Sequence, residues 1–598
     1  DPLAITRIPT HQYIAQINEF KWWMDKHELN LLANQTFAPS NEGQKYGFKD
    51  EPLIGARYIS TDKNQDSLSF VSPSVMLNYE KKILEASRVK YVDVADARVF
   101  PPNEQIVVGP DARMMPIKNA TIIANRETRF HQIYDASVNI YGRFAYSGSG
   151  KYDYIDENNK RQTIVFSDIT VDTTRQTIAT GSIAEPDSFT LNPFFLFQGE
   201  AQLAAARKYL QFDGGARIIH QCPNVAASWV KFKAVLDPLK IRIPIGDKNI
   251  DINRNPVVVG PIMSYDSIHL YSTFLGRKKY VDDYVMATAS GLLWYNKAYN
   301  AYEVGAEDKL KRHGLPGPLV SLTPSTCIQY AEGPLDLIVR FGQLKAWWAG
   351  SITHNLQSNV FSLRTTMAID FYFYQPSLKI MAYVIDSLAP KTDTINIFDA
   401  YYKKNFANLI VPDTLKQYYQ QLTDTAKNKK VQLPSLMAKT LFIDEVSFIY
   451  DDTTNSFRSV GKIGIGYING RWIHRKIDGY IEIWRKNSGD QIDIYLQPNG
   501  NTFYYFGYEP GKMMVLSSDK NFENPIHKLP ERQRRMKVGR GEKAYLYTIA
   551  SDRKVSLVRK RWKAEPIDVE LLESTPVIEY NEEESPAEPQ NEVINPEQ

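Results

Sequence analysis

Tyr91-Val92-Asp93-Val94-Ala95-Asp96-Ala97-Arg98-Val99 alternates apolar and polar residues, and the chain repeats that alternation after each Pro, Gly, Asn or Asp that interrupts it. Pro101-Pro102-Asn103 is followed by residues 104–108, then by 114–117, 121–124 and 130–146. A period of two puts successive side chains on opposite faces of a sheet, so each run reads as a strand with one face to bury. Phe195, Phe197, Gly199, Ala201, Leu203 and Ala205 alternate without a break, and Leu210, Phe212, Gly214, Ala216 and Ile218 answer them. Despite its alanines, this pair reads as two arms of a β-hairpin.

Working outward, the pattern predicts a mainly β, elongated multi-strand protein, jelly-roll or solenoid-like, with a helical insertion and a seven-strand barrel or sandwich capped by a helix. Residues 1–90 read as a mixed opening segment. Tyr13, Ile14, Ile17, Phe20 and Met24 match one helical face, and residues 79–89 give a second candidate helix. Strand-repeat regions follow over 91–250 and 251–375, with 335–341 and 365–374 as clear strands of the second. Residues 376–437 switch to helical spacing through Leu378, Met381, Ile385 and Leu388, and Pro412 sits well in a first helical turn. Residues 438–563 resume as strands 441–450, 457–463, 466–472, 476–484, 491–496, 502–508 and 512–517. Turn signals such as Asn469-Gly470 and Pro498-Asn499-Gly500 divide them, and a basic helix over 550–562 follows.

Residues 564–598 form an acidic tail with eleven Asp or Glu and no Lys or Arg. Set aside from the 68 acidic residues of the 598-residue chain, these leave 57 against 71 basic ones, so the formal +3 conceals a body of about +14. Its composition is that of a segment unable to bury a core of its own. The body's basic run, Lys528, Arg532, Arg534, Arg535, Lys537, Arg540, Lys543, Arg553, Lys554, Arg559, Lys560 and Arg561, has this tail as its nearest counter-charge, so nucleic acid is not expected.

The chain opens Asp1-Pro2-Leu3 with neither initiator Met nor a signal pattern, which reads as a processed product. Only Cys222 and Cys327 occur; two buried free thiols are the expectation, and a disulfide closing a loop of about a hundred residues is the alternative. No apolar stretch approaches the roughly 18 residues of a membrane-spanning helix. The nine histidines are dispersed, with none three or four residues from another, and phosphate-loop, dinucleotide and nucleophile-elbow motifs are absent. No catalytic, cofactor-binding or metal-binding residue is therefore assigned, and no cofactor is expected. The carboxylates Asp93, Asp96, Asp153, Asp370 and Asp444, with Trp347-Trp348, Tyr372 and Tyr374 as sugar-stacking aromatics, are the one set that fits glycoside chemistry.

Residues 139–154, Asn139-Ile140-Tyr141-Gly142-Arg143-Phe144-Ala145-Tyr146-Ser147-Gly148-Ser149-Gly150-Lys151-Tyr152-Asp153-Tyr154, with Phe197-Gln198-Gly199-Glu200-Ala201, resemble recurring-strand chains of Gram-negative envelope proteins. They look like the OstA-like periplasmic bridges of lipopolysaccharide transport and like large uncharacterised envelope proteins of the Bacteroidota. The resemblance covers residues 91–375 and is one of style, so it carries over no site residue. It implies export to the periplasm or outer membrane and a non-enzymatic role as scaffold or assembly subunit, touching other envelope proteins through strand edges and the acidic tail. A lipid- or lipopolysaccharide-handling β bridge and a polysaccharide-binding or polysaccharide-cleaving enzyme are the alternatives.

Overall fold

The computed structural model describes residues 4–266, 269–424, 431–486, 489–536 and 544–564. It is mainly β, with 49% of residues in strands against 16% in helices. Two compact units divide the chain: residues 1–219 with 229–244, and residues 220–228 with 245 onward.

In the first unit an antiparallel meander follows sequence order from Val92–Val94 through His131–Gly142, Ala145–Ile155 and Arg161–Val171 to Val230–Val235. The hairpin read from alternation is there, with Phe197 opposite Ala216 and Gly199 opposite Gly214. His131–Gly142 alternates buried and solvent-facing positions, so one face forms the core. Two smaller sheets precede it. One orders Ala4–Ile8, Tyr13–Ile17, Ala56–Ser60 and Ser69–Ser72; the other orders Gln105–Val108, Ile83–Ser87, Ser74–Asn78, Glu28–Leu32 and Glu19–Trp23.

Both helices expected in residues 1–90 are strands. Tyr13, Ala15 and Ile17 are buried in alternation, and Tyr13–Ile17 pairs with Ala4–Ile8; a turn at Asn18 then starts Glu19–Trp23. The apolar residues fit a stripe of period 3.6 only because two short strands of period two lie end to end. In 79–89, Lys82 turns the chain at φ 52°, and Ile83–Ser87 pairs with strands on both sides.

In the second unit one curled sheet runs in sequence order from Gly291–Asn296 to Lys512–Ser517, with Tyr545–Ile549 added parallel to its last strand. The helices Gln375–Leu388, Ala400–Leu409 and Pro412–Thr423 are inserted between Val360–Asp370 and Leu441–Asp451, yet those strands are neighbours, with Thr365 opposite Val446. The sheet thus passes through the position where a separate barrel was expected to begin. Asp399 caps the second helix by accepting from Tyr401 N–H, as a short acidic side chain does at an N-terminus. Phe406 and Tyr418 then pack on Phe442 and Tyr467.

Where three strands were read over 457–484, there are two, Ser456–Ile468 and Arg471–Trp484, joined at Asn469-Gly470. Gly464 and Gly466 are packing sites, not turns. A Cβ on them would stand 2.7 Å from the Ile395 side chain and 2.2 Å from Asp444 Oδ1. The expected strand 335–341 also fails: its strand ends at Leu335, and Ile338 takes φ 56° in the connection that follows. The helix read over 550–562 is Asp552–Lys563, capped by Ser551, with Val555 and Val558 against Tyr480, Tyr495 and Tyr505. The acidic tail from 565 onward lies outside the described residues.

Cys222 and Cys327 form a disulfide, which replaces the expectation of free thiols. Val225–Ala226 runs parallel to Ser272–Thr273, and Asn224 Nδ2 donates to Leu356 O at 3.0 Å. These contacts fix residues 220–228 to the second unit and bring the two Cα atoms to 5.3 Å, within the span that a disulfide requires.

Candidate functional site

The five carboxylates selected for glycoside chemistry do not gather. Asp93 accepts from Arg98 Nε at 2.8 Å, Asp96 from the Thr177 hydroxyl and amide, and Asp370 from Lys439 at 2.9 Å and Thr440. No two of the five accept from the same side chain. Asp444 is fully buried and accepts from His474 Nδ1 at 2.6 Å, while burial holds its carboxyl above the usual range. Rings of Trp472 and Tyr467 lie 4.1 and 4.8 Å from that imidazole, and Ile395 N–H of the helical insertion donates to His474 O, so the pair is sealed inside the core. Of the expected aromatics, Trp348 is buried against Phe448, and Tyr372 donates to Gln533 O.

Asp153 alone borders a cleft, of about 410 Å³, in the first unit. Three local features build it. The ladder between His131–Gly142 and Ala145–Ile155 slips between Tyr134 and Ser137, and Asp135 takes φ 47° there, a β-bulge of the kind that re-aims neighbouring side chains. Next to it, His131 Nε2–H donates to Arg207 O at 2.6 Å, leaving Nδ1 to accept from the Tyr152 hydroxyl at 3.3 Å. Burial lowers the His131 pKa, consistent with this neutral tautomer, and pushes the Tyr152 phenol up to about 12. The Tyr134 hydroxyl donates to Asp153 Oδ1 at 2.8 Å, with Arg161 3.3 Å from Oδ2. Phe130, His131, Tyr152 and Phe166 form a run of rings with successive centroids 6.5, 5.7 and 5.7 Å apart. Gln132, Lys208 and Tyr209 add to the wall, and Ile155, Leu210, Leu236 and Pro238 give it an apolar part.

A second charged cluster, in the other unit, was missed by the sequence reading. Glu482 and Asp493 face each other on adjacent strands, nearly fully buried. Arg561, from the capping helix, donates Nε to Glu482 at 2.7 Å and Nη2 to Asp493 at 2.8 Å. Tyr480 and Tyr505 hydroxyls donate to the same two carboxylates, each at 2.8 Å. Desolvation raises the Asp493 pKa against the pull of its cations, Lys554 first. The available signal was a charge flanked by two isoleucines, Ile481-Glu482-Ile483 and Ile492-Asp493-Ile494, in runs buried on both faces. Arg561 belonged to the basic run, and it is engaged inward. Lys537, Arg540 and Lys543 lie outside the described residues.

One strand edge stands apart. Glu19–Trp23 ends its sheet and pairs only with Glu28–Leu32 among the described residues. Phe20 and Trp22 on it and Met24 directly after it are 63%, 58% and 72% exposed. Among the described residues no cluster of three metal-ligating side chains occurs, and no helix is long and apolar enough to cross a membrane. No protein-family model matches the chain, and neither does any curated protein.

Proposed function

We propose that this chain is an exported, non-catalytic β scaffold of the Gram-negative cell envelope, an assembly subunit of a periplasmic or outer-membrane complex. The observation that carries the reading is the Glu19–Trp23 edge. It combines backbone donors and acceptors left without a neighbouring strand with the exposed side chains of Phe20, Trp22 and Met24. The edge carries a single cation, Lys21, offset by Glu19 3.7 Å away, and no proline, so an added strand from a partner would satisfy its backbone and bury its aromatics. Export is supported by the Cys222–Cys327 disulfide, since such bonds persist in oxidising compartments. Photo-cross-linking from position 24 in the source cells tests the reading. A recurrent neighbouring chain is expected, and its loss in a Phe20→Ser, Trp22→Ser variant; a cross-link pattern identical in that variant contradicts the assignment.

A further inference from the structure

We propose that the cleft beside the Asp135 bulge binds a carbohydrate chain, with Phe130, Tyr152 and Tyr209 offering aromatic surface and Gln132, Asp153 and Lys208 meeting hydroxyl groups. This inference is independent of the scaffold reading, which rests on a different sheet of the same unit.

The cleft's volume of about 410 Å³ lies within the range of roughly 300–1,000 Å³ typical of ligand sites. A pyranose presents an apolar C–H face and a rim of hydroxyls that both donate and accept. Its site needs an aromatic surface edged by amide, carboxylate and ammonium groups, and these are the types present. Phe130 is exposed, and Tyr152 and Tyr209 are half-buried, so ring surface remains for contact while their positions are held.

Tyr152 is held by its hydroxyl on His131 and by the Phe166 ring 5.7 Å away, and the Lys208 ammonium lies 5.3 Å from the Tyr209 ring. Pre-ordering of this kind lowers the entropic cost of binding. The cleft carries both signs of charge, Asp153 and Lys208, so a strongly anionic or cationic ligand would meet one like charge. Tyr152 and Asp153 are consecutive on a strand and point to opposite faces, and the cleft reaches both because it wraps the end of the strand, two residues beyond the slip opposite Lys151. The site binds; no bond is made or broken there.

The test uses the full chain with three defined probes, cellohexaose, chitohexaose and mannohexaose, read by saturation-transfer NMR and titration calorimetry. At least one probe is expected to receive saturation on its ring C–H protons, and Tyr209→Ala and Phe130→Ala are each expected to weaken it by about tenfold, the loss of one aromatic contact. Gln132→Ala and Lys208→Ala, both at exposed positions, keep the test decisive if an aromatic variant fails to fold, and each is expected to weaken binding severalfold. Absence of transfer to all three probes overturns the proposal, as does an affinity unchanged in every folded variant.

Discussion

The meander of the first unit and the curled sheet of the second are built from the same kind of strand, yet they treat their two faces differently. Arg161–Val171 keeps alternate positions at the surface, whereas in Arg471–Trp484 the five residues from Gly479 to Ile483 are buried without interruption. The difference comes from what lies on the sheet. A face left to water can carry charge at no desolvation cost, while a strand covered on both faces must pair every charge that it carries. In the second unit the helical insertion covers Phe442 and Tyr467, the capping helix covers Tyr480, Tyr495 and Tyr505, and each covered region contains a carboxylate with a dedicated partner. The comparison therefore separates charges that are integral to folding from charges that are replaceable.

The largest effect is expected from the disulfide. Replacing Cys222 and Cys327 by Ser removes a cross-link spanning 105 residues, worth about 5 kcal/mol on the chain-entropy account. Hydrogen exchange is expected to show the loss in the second unit, with amides of the Val92–Val235 meander unchanged. Equal loss in both would erase the distinction between them.

The next effect sets the two surfaces directly against each other. Arg561→Ala leaves Glu482 and Asp493 opposed and buried without their shared guanidinium, at a cost of about 3 kcal/mol. Arg161→Ala removes the partner of Asp153 from a 68%-exposed position and should cost less than about 1 kcal/mol. Urea unfolding of both variants measures the difference, and similar costs would contradict the two-face argument.

His354 sharpens the comparison through pH. It is buried in the second unit, with Nε2–H donating to Asn359 Oδ1 at 3.1 Å and Nδ1 accepting from Ser272 at 2.8 Å, and burial lowers its pKa to about 4. As pH falls below the ordinary value of 6.5, the unfolded chain takes up the proton first. The folded state's advantage is therefore complete above pH 6.5 and is lost by about pH 4, amounting to about 3 kcal/mol. Stability measured across that window should fall with acid in the parent chain and fall less steeply in His354→Gln. Identical slopes would remove His354 from the account. The smallest effect belongs to the open face: Val165, 55% exposed in the meander, should tolerate Thr within about 0.5 kcal/mol of the parent in thermal unfolding.

These same two faces explain what was legible in the sequence. Alternation identified the 195–218 hairpin because one side of it meets water, and the helical spacing of Leu378, Met381 and Ile385 identified the insertion because those side chains face the sheet. Tyr13 to Met24 misled because two strands of five residues can imitate a helical stripe, and only pairing with distant strands decides between them. Gly464 and Gly466 were read as strand boundaries because a glycine's need for close approach is invisible until Ile395 and Asp444 are in place. The cleft was legible only at Asp153. Its other walls come from residues up to about eighty positions away, which no local pattern joins. The Glu482–Asp493–Arg561 cluster joins two strands to a helix far along the chain, so its members read as unrelated surface charges.

The exposed edge is where this comparison meets function, since it is apolar surface that neither unit's packing accounts for. Cross-linking from position 24 in the source cells tests the claim most directly. The scaffold account predicts one recurrent partner chain, lost when Phe20 and Trp22 become Ser while thermal unfolding stays unchanged. A hairpin that captures no recurrent chain, or captures the same one in the parent and in that variant, contradicts it.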